Sequence, residues 1–425
     1  MSNIVNILGQ RGLLSQSSLE VGELADKLGK PVTLYAGFDP TADSLHIGHL
    51  LQIMVLSHFQ RCGHRPIALV GGATAMIGDP SGKSEERNLL DEDSIAQNAA
   101  GIKRQLEQFL DFDCGGNAAL LVNNGDWIGQ FSFIEFLRDV GKYFRVGDMM
   151  GKESVRKRLH SESGMSFTEF SYQMLQSYDF LHLFREYQCR LQIGGEDQWG
   201  NITAGIDLVR KLEAAAVFGI TSPLITKADG QKFGKTEGGA VWLDPKRTSP
   251  YDFYQYWIRC DDRDVIKLLK FFTFLPLDQI ADLEREFTDA PEKRQAQTVL
   301  AEEVTSLVHG ADELEKVQKA SRVLFGEEIS GLNDHDLQTI FSDVSSSEMS
   351  MDSLRSGIGL IDALHESKVC RSRREAKDLI KNGGAYVNNQ KVESLDYVLT
   401  RDSLASESVL ILRSGKKKYH LVRFT

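Results

Sequence analysis

Two histidines flank an isoleucine and a glycine in His46-Ile47-Gly48-His49, directly after a β-rich run and a turn that begin Tyr35-Ala36-Gly37-Phe38-Asp39-Pro40-Thr41. Where a strand leads into a helix, the first backbone N–H groups lack intrahelical partners, so α/β folds bind phosphates there. Asp43 or Ser44 is placed to cap such a helix. The histidines would share one edge, and Gly48 removes the side chain that would block an approaching nucleotide ring. The geometry suits a triphosphate. An isolated H-x-x-H is more often a helix-start pair bonded to solvent or backbone. Zinc is a weaker alternative, since the spacing is not H-E-x-x-H and no cysteine lies near in sequence.

A second element shifts that balance. Lys232-Phe233-Gly234-Lys235-Thr236, preceded by Lys227-Ala228-Asp229-Gly230, is a doubly basic, glycine-containing loop whose lysines and Thr236 hydroxyl can wrap a pyrophosphate. Alone it would read as a solvated surface loop. The segment Gly78-Asp79-Pro80-Ser81-Gly82-Lys83-Ser84 looks like a phosphate loop, but Ile77 stands where the Walker pattern requires its first glycine. It reads instead as a Pro/Gly turn after a strand, with Asp79 a candidate to face the substrate.

A third element concerns the rest of the ligand. Ser166 and Glu169 form a capping-box pattern that opens a helix, on which Tyr172, Gln176 and Asp179 fall on one narrow face. Most such triplets are exposed polar faces. Here Phe170, Met174 and Leu175 predict substantial burial, where a carboxylate needs a partner. A phenol hydroxyl meets that need: Asp179 accepts its hydrogen, Tyr35 donates to its oxygen, and Tyr172 with Gln176 binds an ammonium group. Phenylalanine would leave those buried polar groups unpaired.

These residues need a frame. Short β-rich runs at Val32–Phe38, Ile67–Val70, Leu120–Asn123 and Leu191–Ile193 alternate with helical stretches, which predicts a parallel α/β sheet. In the helix expected from His46 to Arg61, Ile47, Leu50, Leu51, Met54 and Val55 make one apolar stripe for the sheet, leaving the opposite edge for ligand. From about Thr248 the pattern becomes helical, with Ser249 as N-cap and Pro250 at the first position. The polar, serine-rich stretch 326–353 reads as a linker, helical in part near 336–341. Beyond it come two short helical patterns, a Gly383-Gly384 turn and a strand-like run.

At 425 residues, 41% hydrophobic and 26% charged, the chain can bury two or three cores. The five cysteines form no C-x-x-C pair, and Met1 to Glu20 lacks a signal or transit pattern, so a cytoplasmic protein without membrane spans is expected. The net charge of −11 conceals an asymmetry: residues 358–425 hold 13 Lys and Arg against 8 Asp and Glu, +5, which leaves −16 for the rest. Arg371, Arg373, Arg374, Lys377 and Lys381 lie along one helical stretch of that tail. A solvated basic helix is the plain reading, but a basic tail on an acidic body suggests localised contact with a polyanion.

His46 to His49 followed by Lys232 to Thr236 resembles the paired signatures of class I aminoacyl-tRNA synthetases. With Leu191-Gln192-Ile193-Gly194-Gly195-Glu196-Asp197-Gln198-Trp199-Gly200-Asn201, nearly the whole chain is similar to the bacterial tyrosyl enzymes. The resemblance implies a Rossmann-like catalytic domain with a helical insertion over 1–247, an α-helical domain on the anticodon side of tRNA over 248–325, a linker over 326–353 and an S4-like α+β RNA-binding domain over 354–425. It implies L-tyrosine, ATP with Mg²⁺ on its phosphates, tRNA(Tyr) and a homodimer, with no resident metal. By residue, it implies that Asp79 joins Tyr172 and Gln176 at the ammonium group and that Gln198 lies near the carboxylate. Gly37, Asp39, Gly48, Gly195, Asp197 and Lys235 serve ATP, the glycine and aspartate at 195 and 197 holding its ribose. Thr41, His46, His49, Lys232, Lys235 and Thr236 stabilise the departing pyrophosphate. Two departures are visible: Lys-Phe-Gly-Lys-Thr replaces Lys-Met-Ser-Lys-Ser, and Ala36 stands where some relatives have Cys, in doubt for one ribose contact. Tryptophanyl enzymes share both nucleotide signatures, and Tyr35 with Asp179 favours tyrosine. A non-catalytic RNA-binding paralogue is the remaining alternative, against which the intact histidines and lysines argue.

Overall fold

Leu34, Tyr35, Ala36 and Phe38 are buried, as are Ile67 to Val70 on the neighbouring strand, so these apolar runs can only sit inside a sheet covered on both faces. In the computed structural model the described residues are all but 1–2, 82–90, 161–163, 227, 229, 231–232, 237–238, 325–328, 330–331, 342–343 and 416–417. They fall into two units, residues 1–308 and 309–425.

The first unit is built on β1 (Gln16–Ser17), β2 (Thr33–Phe38), β3 (Arg65–Val70), β4 (Leu120–Asn123), β5 (Cys189–Gly195) and β6 (Phe218–Ser222), in spatial order β1-β6-β5-β2-β3-β4. β2 to β6 run parallel to one another, and β1 pairs antiparallel with β6 at the edge. The Rossmann-like parallel sheet is therefore as expected. The chain winds from β2 through β3 to β4 on one side, then returns to β5 and β6 on the other. Such a reversal leaves a crevice beyond the carboxyl ends of β2 and β5, where open α/β sheets bind ligands.

The helix Ile47–Arg61 differs from its expected single stripe. Ile53, Leu56, Ser57, His58, Phe59 and Gln60 are buried as well, because the helix packs on β3 with one side and on the helices Ile4–Arg11 and Val265–Phe272 with another. Past residue 248 the segments are helical: Pro250–Ile258, Val265–Phe272, Leu277–Asp289 and Gln295–His309. The Ser249 hydroxyl accepts from the Asp252 N–H, with Pro250 first in the helix. β6 was not read from sequence, since Phe-Gly-Ile-Thr-Ser is short and interrupted by glycine.

The second unit packs the helices Leu360–Glu366 and Arg373–Lys381 on a five-stranded sheet through Ala363, Leu364, Ala376, Ile380, Leu410 and Leu412. Ala385–Val387 and Gln390–Lys391 form a hairpin whose Asn388 and Asn389 both have positive φ, the backbone a two-residue turn demands. Part of the stretch read as linker is ordered: Asp334–Ile340 is helical, and Ser346–Met349 pairs parallel to Lys418–Phe424. Among the described residues no helix is long and apolar enough to cross a membrane.

Candidate active site

At the crevice beyond β2 and β5 lies a pocket of about 390 Å³. The ends of β2 and the turn after it supply Tyr35, Gly37, Asp39 and Thr41; the helix start supplies His46, Gly48 and His49. Asp79 comes from the turn after β3, Tyr172, Gln176 and Asp179 from the helix Phe167–Tyr187, and Gly195, Asp197 and Gln198 from the end of β5. The structure thus brings together all the sequence-expected residues for the amino acid and the nucleotide outside the lysine loop.

The helix start is capped differently from expectation. Neither Asp43 nor Ser44 is its N-cap; His46 is, its Nδ1 accepting from the Gly48 N–H at 3.0 Å, while His49 Nδ1 accepts from the His46 N–H at 3.2 Å. The two rings stack at 4.0 Å. A neutral imidazole that accepts at Nδ1 carries its hydrogen on Nε2, so both rings become donors at that nitrogen. Gly48 is required by this arrangement, because a Cβ there would stand 2.7 Å from His46 Cε1.

At the other end, Asp179 is buried, and its two oxygens accept from Trp127 Nε1 at 2.8 Å and Asn124 Nδ2 at 3.0 Å. Burial pushes this carboxyl up to about 8 against the pull of those two donors, with Asp39 raising it further. The Tyr35 hydroxyl is buried and has no hydrogen-bond partner among the described residues; burial and then the charge of Asp179 hold its proton tightly. The Tyr172 hydroxyl donates to Asp39 Oδ2 at 2.9 Å, and Thr74 Oγ1 donates to Asp39 Oδ1 at 2.8 Å. Asp79 accepts from Gln198 Nε2 at 2.7 Å and from the Ser81 N–H at 2.9 Å. Asn201 Nδ2 donates to Gln176 Oε1 at 3.0 Å and Gln198 Oε1 at 3.2 Å. Asp197 is raised by burial and then by Asp79. The chamber between Tyr172, Gln176 and Asp79 is rich in negative charge and suits an ammonium group.

Ser166 caps the helix Phe167–Tyr187, accepting from the Glu169 N–H, while the Glu169 carboxylate forms a buried 2.7 Å ion pair with Arg158. Asn124, Trp127, Asn201 and Thr74 were not identified from sequence. The available signal was weak: Asn124 follows the end of β4, a position where α/β sheets often keep site residues.

The lysine loop meets the histidine helix through its glycine. Lys232, Lys227 and Asp229 lie outside the described residues, and of Lys235 and Thr236 only the backbone is described, as a strand paired with Gly239–Ala240. Phe233 packs on Phe272, Trp257 and Tyr256, and the Gly234 N–H donates to the Tyr256 hydroxyl at 3.1 Å. The following segment returns along the helix start: the Ile47 N–H donates to Val241 O at 3.0 Å and the Leu243 N–H to Leu45 O at 2.8 Å. Gly82, Lys83 and Ser84 of the rejected phosphate loop also lie outside the described residues.

In the second unit Arg371, Arg373, Arg374, Lys377 and Lys381 are all exposed, opposite the buried Ala376 and Ile380. Arg373 Nε pairs with Asp362 at 2.6 Å.

A family model described as tRNA synthetases class I (W and Y) matches residues 27–326, and one described as the tyrosine–tRNA ligase SYY-like C-terminal domain matches residues 336–422. The chain is 52% identical over 424 residues to a tyrosine–tRNA ligase of Rhodopirellula baltica, covering 99% of this chain and 96% of that one. It is also 52% identical over 426 residues to tyrosine–tRNA ligase 1 of Bacillus subtilis, covering the full length of both. Among solved structures, a C-terminally truncated mitochondrial tyrosyl-tRNA synthetase of Aspergillus nidulans aligns with a TM-score of 0.68 at 33% identity, over 76% of this chain and 95% of that one.

Proposed function

Because the chain belongs to the tyrosine–tRNA ligase branch of the class I tRNA synthetases, we propose that its pocket reads tyrosine at the Asp179 end and the ATP phosphates at the histidine end. The reaction is activation of tyrosine by ATP to tyrosyl-AMP with release of pyrophosphate, followed by transfer of tyrosine to the terminal ribose of tRNA.

The observation that carries the site assignment is the Tyr35 hydroxyl, buried in the pocket wall beside Asp179 without a partner among the described residues. A substrate phenol placed between them accepts from Tyr35 and donates to Asp179, which Asn124 and Trp127 hold in position. Tyr172, Gln176 and Asp79 take the ammonium group, and Gln198 lies near the carboxylate. Gly37, Asp39, Gly48, Gly195 and Asp197 hold the nucleotide.

The tyrosine carboxylate is anionic at neutral pH, so its attack on the α-phosphorus needs positioning and charge neutralisation without a general base. His46 and His49 donate Nε2–H, and Thr41 its hydroxyl, to the phosphate oxygens as the bond to pyrophosphate breaks. Lys232, Lys235 and Thr236 close on the same oxygens, and Mg²⁺ enters with the ATP. The pocket's own acidity makes these cations necessary.

For tRNA we assign the exposed Arg371, Arg373, Arg374, Lys377 and Lys381 to contact with the RNA backbone, in an RNA-binding part comprising residues 354–425. The helical segment 248–325 faces the anticodon side, and 1–247 carries the chemistry. A homodimer is supported by exposed Phe133, Ile134 and Phe167, each more than 60% exposed. The free state of all five cysteines supports the cytoplasm. The experiment is exchange of pyrophosphate into ATP with tyrosine, tryptophan and phenylalanine in competition: tyrosine alone should drive it, and equal stimulation by tryptophan would refute the assignment of the pocket.

A further inference from the structure

At the opposite end of the histidine helix, like charges converge. Arg11 is buried at the end of the helix Ile4–Arg11, donating from Nη1 to Lys270 O at 3.0 Å and Thr273 O at 2.8 Å, and from Nη2 to Leu275 O at 2.5 Å. His58 is 5% exposed, meets the Phe274 ring edge-on at 5.0 Å, and has an Nε2 shut off from solvent with no hydrogen-bond partner among the described residues. Arg61, one turn further on, lays its guanidinium 3.4 Å over the same Phe274 ring. Together they line a cavity of about 540 Å³ whose apolar walls include Ile7 and Leu277. It shares no lining residue with the active-site pocket.

Among the described residues no carboxylate forms an ion pair with either guanidinium, and burial first, then the nearby charge of Arg61, lower the proton affinity of Arg11. Two like charges and a buried imidazole held together cost free energy that an anion would recover. The guanidinium fork of Arg61 is fixed by its stacking on Phe274, and forks of this kind match the oxygens of phosphate.

We propose that this cavity is a second ligand site, taking a phosphate-type oxyanion on the Arg61 guanidinium beside the His58 ring, with the charge of Arg11 behind them. The donors are of the kind phosphate binds. The apolar walls leave room for an organic group attached to it. Arg11 serves mainly as fixed charge, because its Nη atoms are already committed to three carbonyls.

The test uses the full chain and inorganic phosphate. Histidine side-chain NMR, with the His58 signal identified by its loss in His58→Gln, should show that signal moving on titration with millimolar phosphate. In Arg61→Gln the apparent affinity read from it should fall at least fivefold, in Arg61→Lys less, with tyrosine-dependent pyrophosphate exchange unchanged in both. If the phosphate is normally part of an RNA backbone, Arg61→Gln will also raise the KM for tRNA in aminoacylation; if it is a free ion or small phosphoester, that KM will stay the same. A His58 signal indifferent to phosphate, or equal phosphate affinity in Arg61→Gln and the parent chain, overturns the proposal.

Discussion

Gly234 lies against Ile47 so closely that a Cβ on the glycine would stand 2.9 Å from Ile47 Cγ1, and its φ of +82° is one that favours glycine. The centre of the lysine motif thus abuts the centre of the histidine motif, although 187 residues separate them. Phe233, half-buried against Phe272, Trp257 and Tyr256, anchors the approach from the other side. The backbone at Lys235 is thereby brought beside the start of the histidine helix.

Gly234→Ala should disturb that approach without touching the tyrosine end. The left-handed backbone costs a non-glycine residue about 1 kcal/mol and the overlap with Ile47 adds to it, so the exchange rate should fall about tenfold or more. Tyrosine affinity, measured by equilibrium dialysis, should stay within about twofold. Equal losses in both would mean that the glycine supports the whole pocket.

Tyr35→Phe removes a buried hydroxyl that has no partner among the described residues. Folding stability should therefore be unchanged or rise by up to about 1 kcal/mol, while tyrosine binding weakens by about 1–2 kcal/mol, roughly 5- to 30-fold. Thermal denaturation and tyrosine titration read the two effects separately. A destabilised variant with normal tyrosine affinity would place the hydroxyl in a structural role.

The histidine and lysine motifs, the Ser166 and Ser249 helix starts and four of the sheet strands were legible because each is a local pattern: a spacing, a cap or an apolar run. Asn124 and Trp127 were not, since they stand 55 and 52 residues from Asp179 and only the return of the chain to β5 brings them to its carboxylate. That His46 caps its own helix could not be read either, because histidine is an uncommon cap and the bond depends on its ring rotamer. The second buried side of the helix Ile47–Arg61 comes from packing on the helix Ile4–Arg11 before it and the helix Val265–Phe272 far after it, and the pairing of Ser346–Met349 with Lys418–Phe424 is likewise non-local. Periodicity registers one packing surface well and two superposed ones poorly.

Tyrosine binding should depend on pH through Asp179. Its folded-state proton affinity is raised, from 3.8 to about 8, so between those values the folded chain holds a proton that the unfolded chain has released. The contribution to stability consequently falls as pH rises through that window. A phenol donates more strongly to an ionised carboxylate than to a protonated one, so on the proposed reading tyrosine affinity should move the other way, improving by up to about tenfold per pH unit below 8. Titrations at pH 6.5 and 8.0 should differ several-fold, and a flat profile would show that one protonation state serves throughout.

Acid should weaken the fold through His58. Burial, then the charges of Arg11 and Arg61, lower its proton affinity from 6.5 to about 3. The unfolded chain takes up a proton between those values and the folded chain does not, so stability is complete above 6.5 and is lost as pH falls toward 3, by at most about 1.4 kcal/mol per pH unit. His58→Leu should flatten the denaturant midpoint between pH 6.5 and 4.5; an equally steep decline in the variant would assign acid lability elsewhere.

Whether tyrosine recognition and phosphate stabilisation occupy separate ends of one pocket is decided most directly at Lys235. Lys235→Ala, assayed for tyrosine-dependent pyrophosphate exchange alongside equilibrium tyrosine binding, tests this directly. A fall of about a hundredfold or more in the exchange rate, roughly 2.7 kcal/mol of transition-state stabilisation, with tyrosine affinity within about twofold of the parent, is the predicted result. A large loss of tyrosine affinity with an unchanged kcat would contradict it.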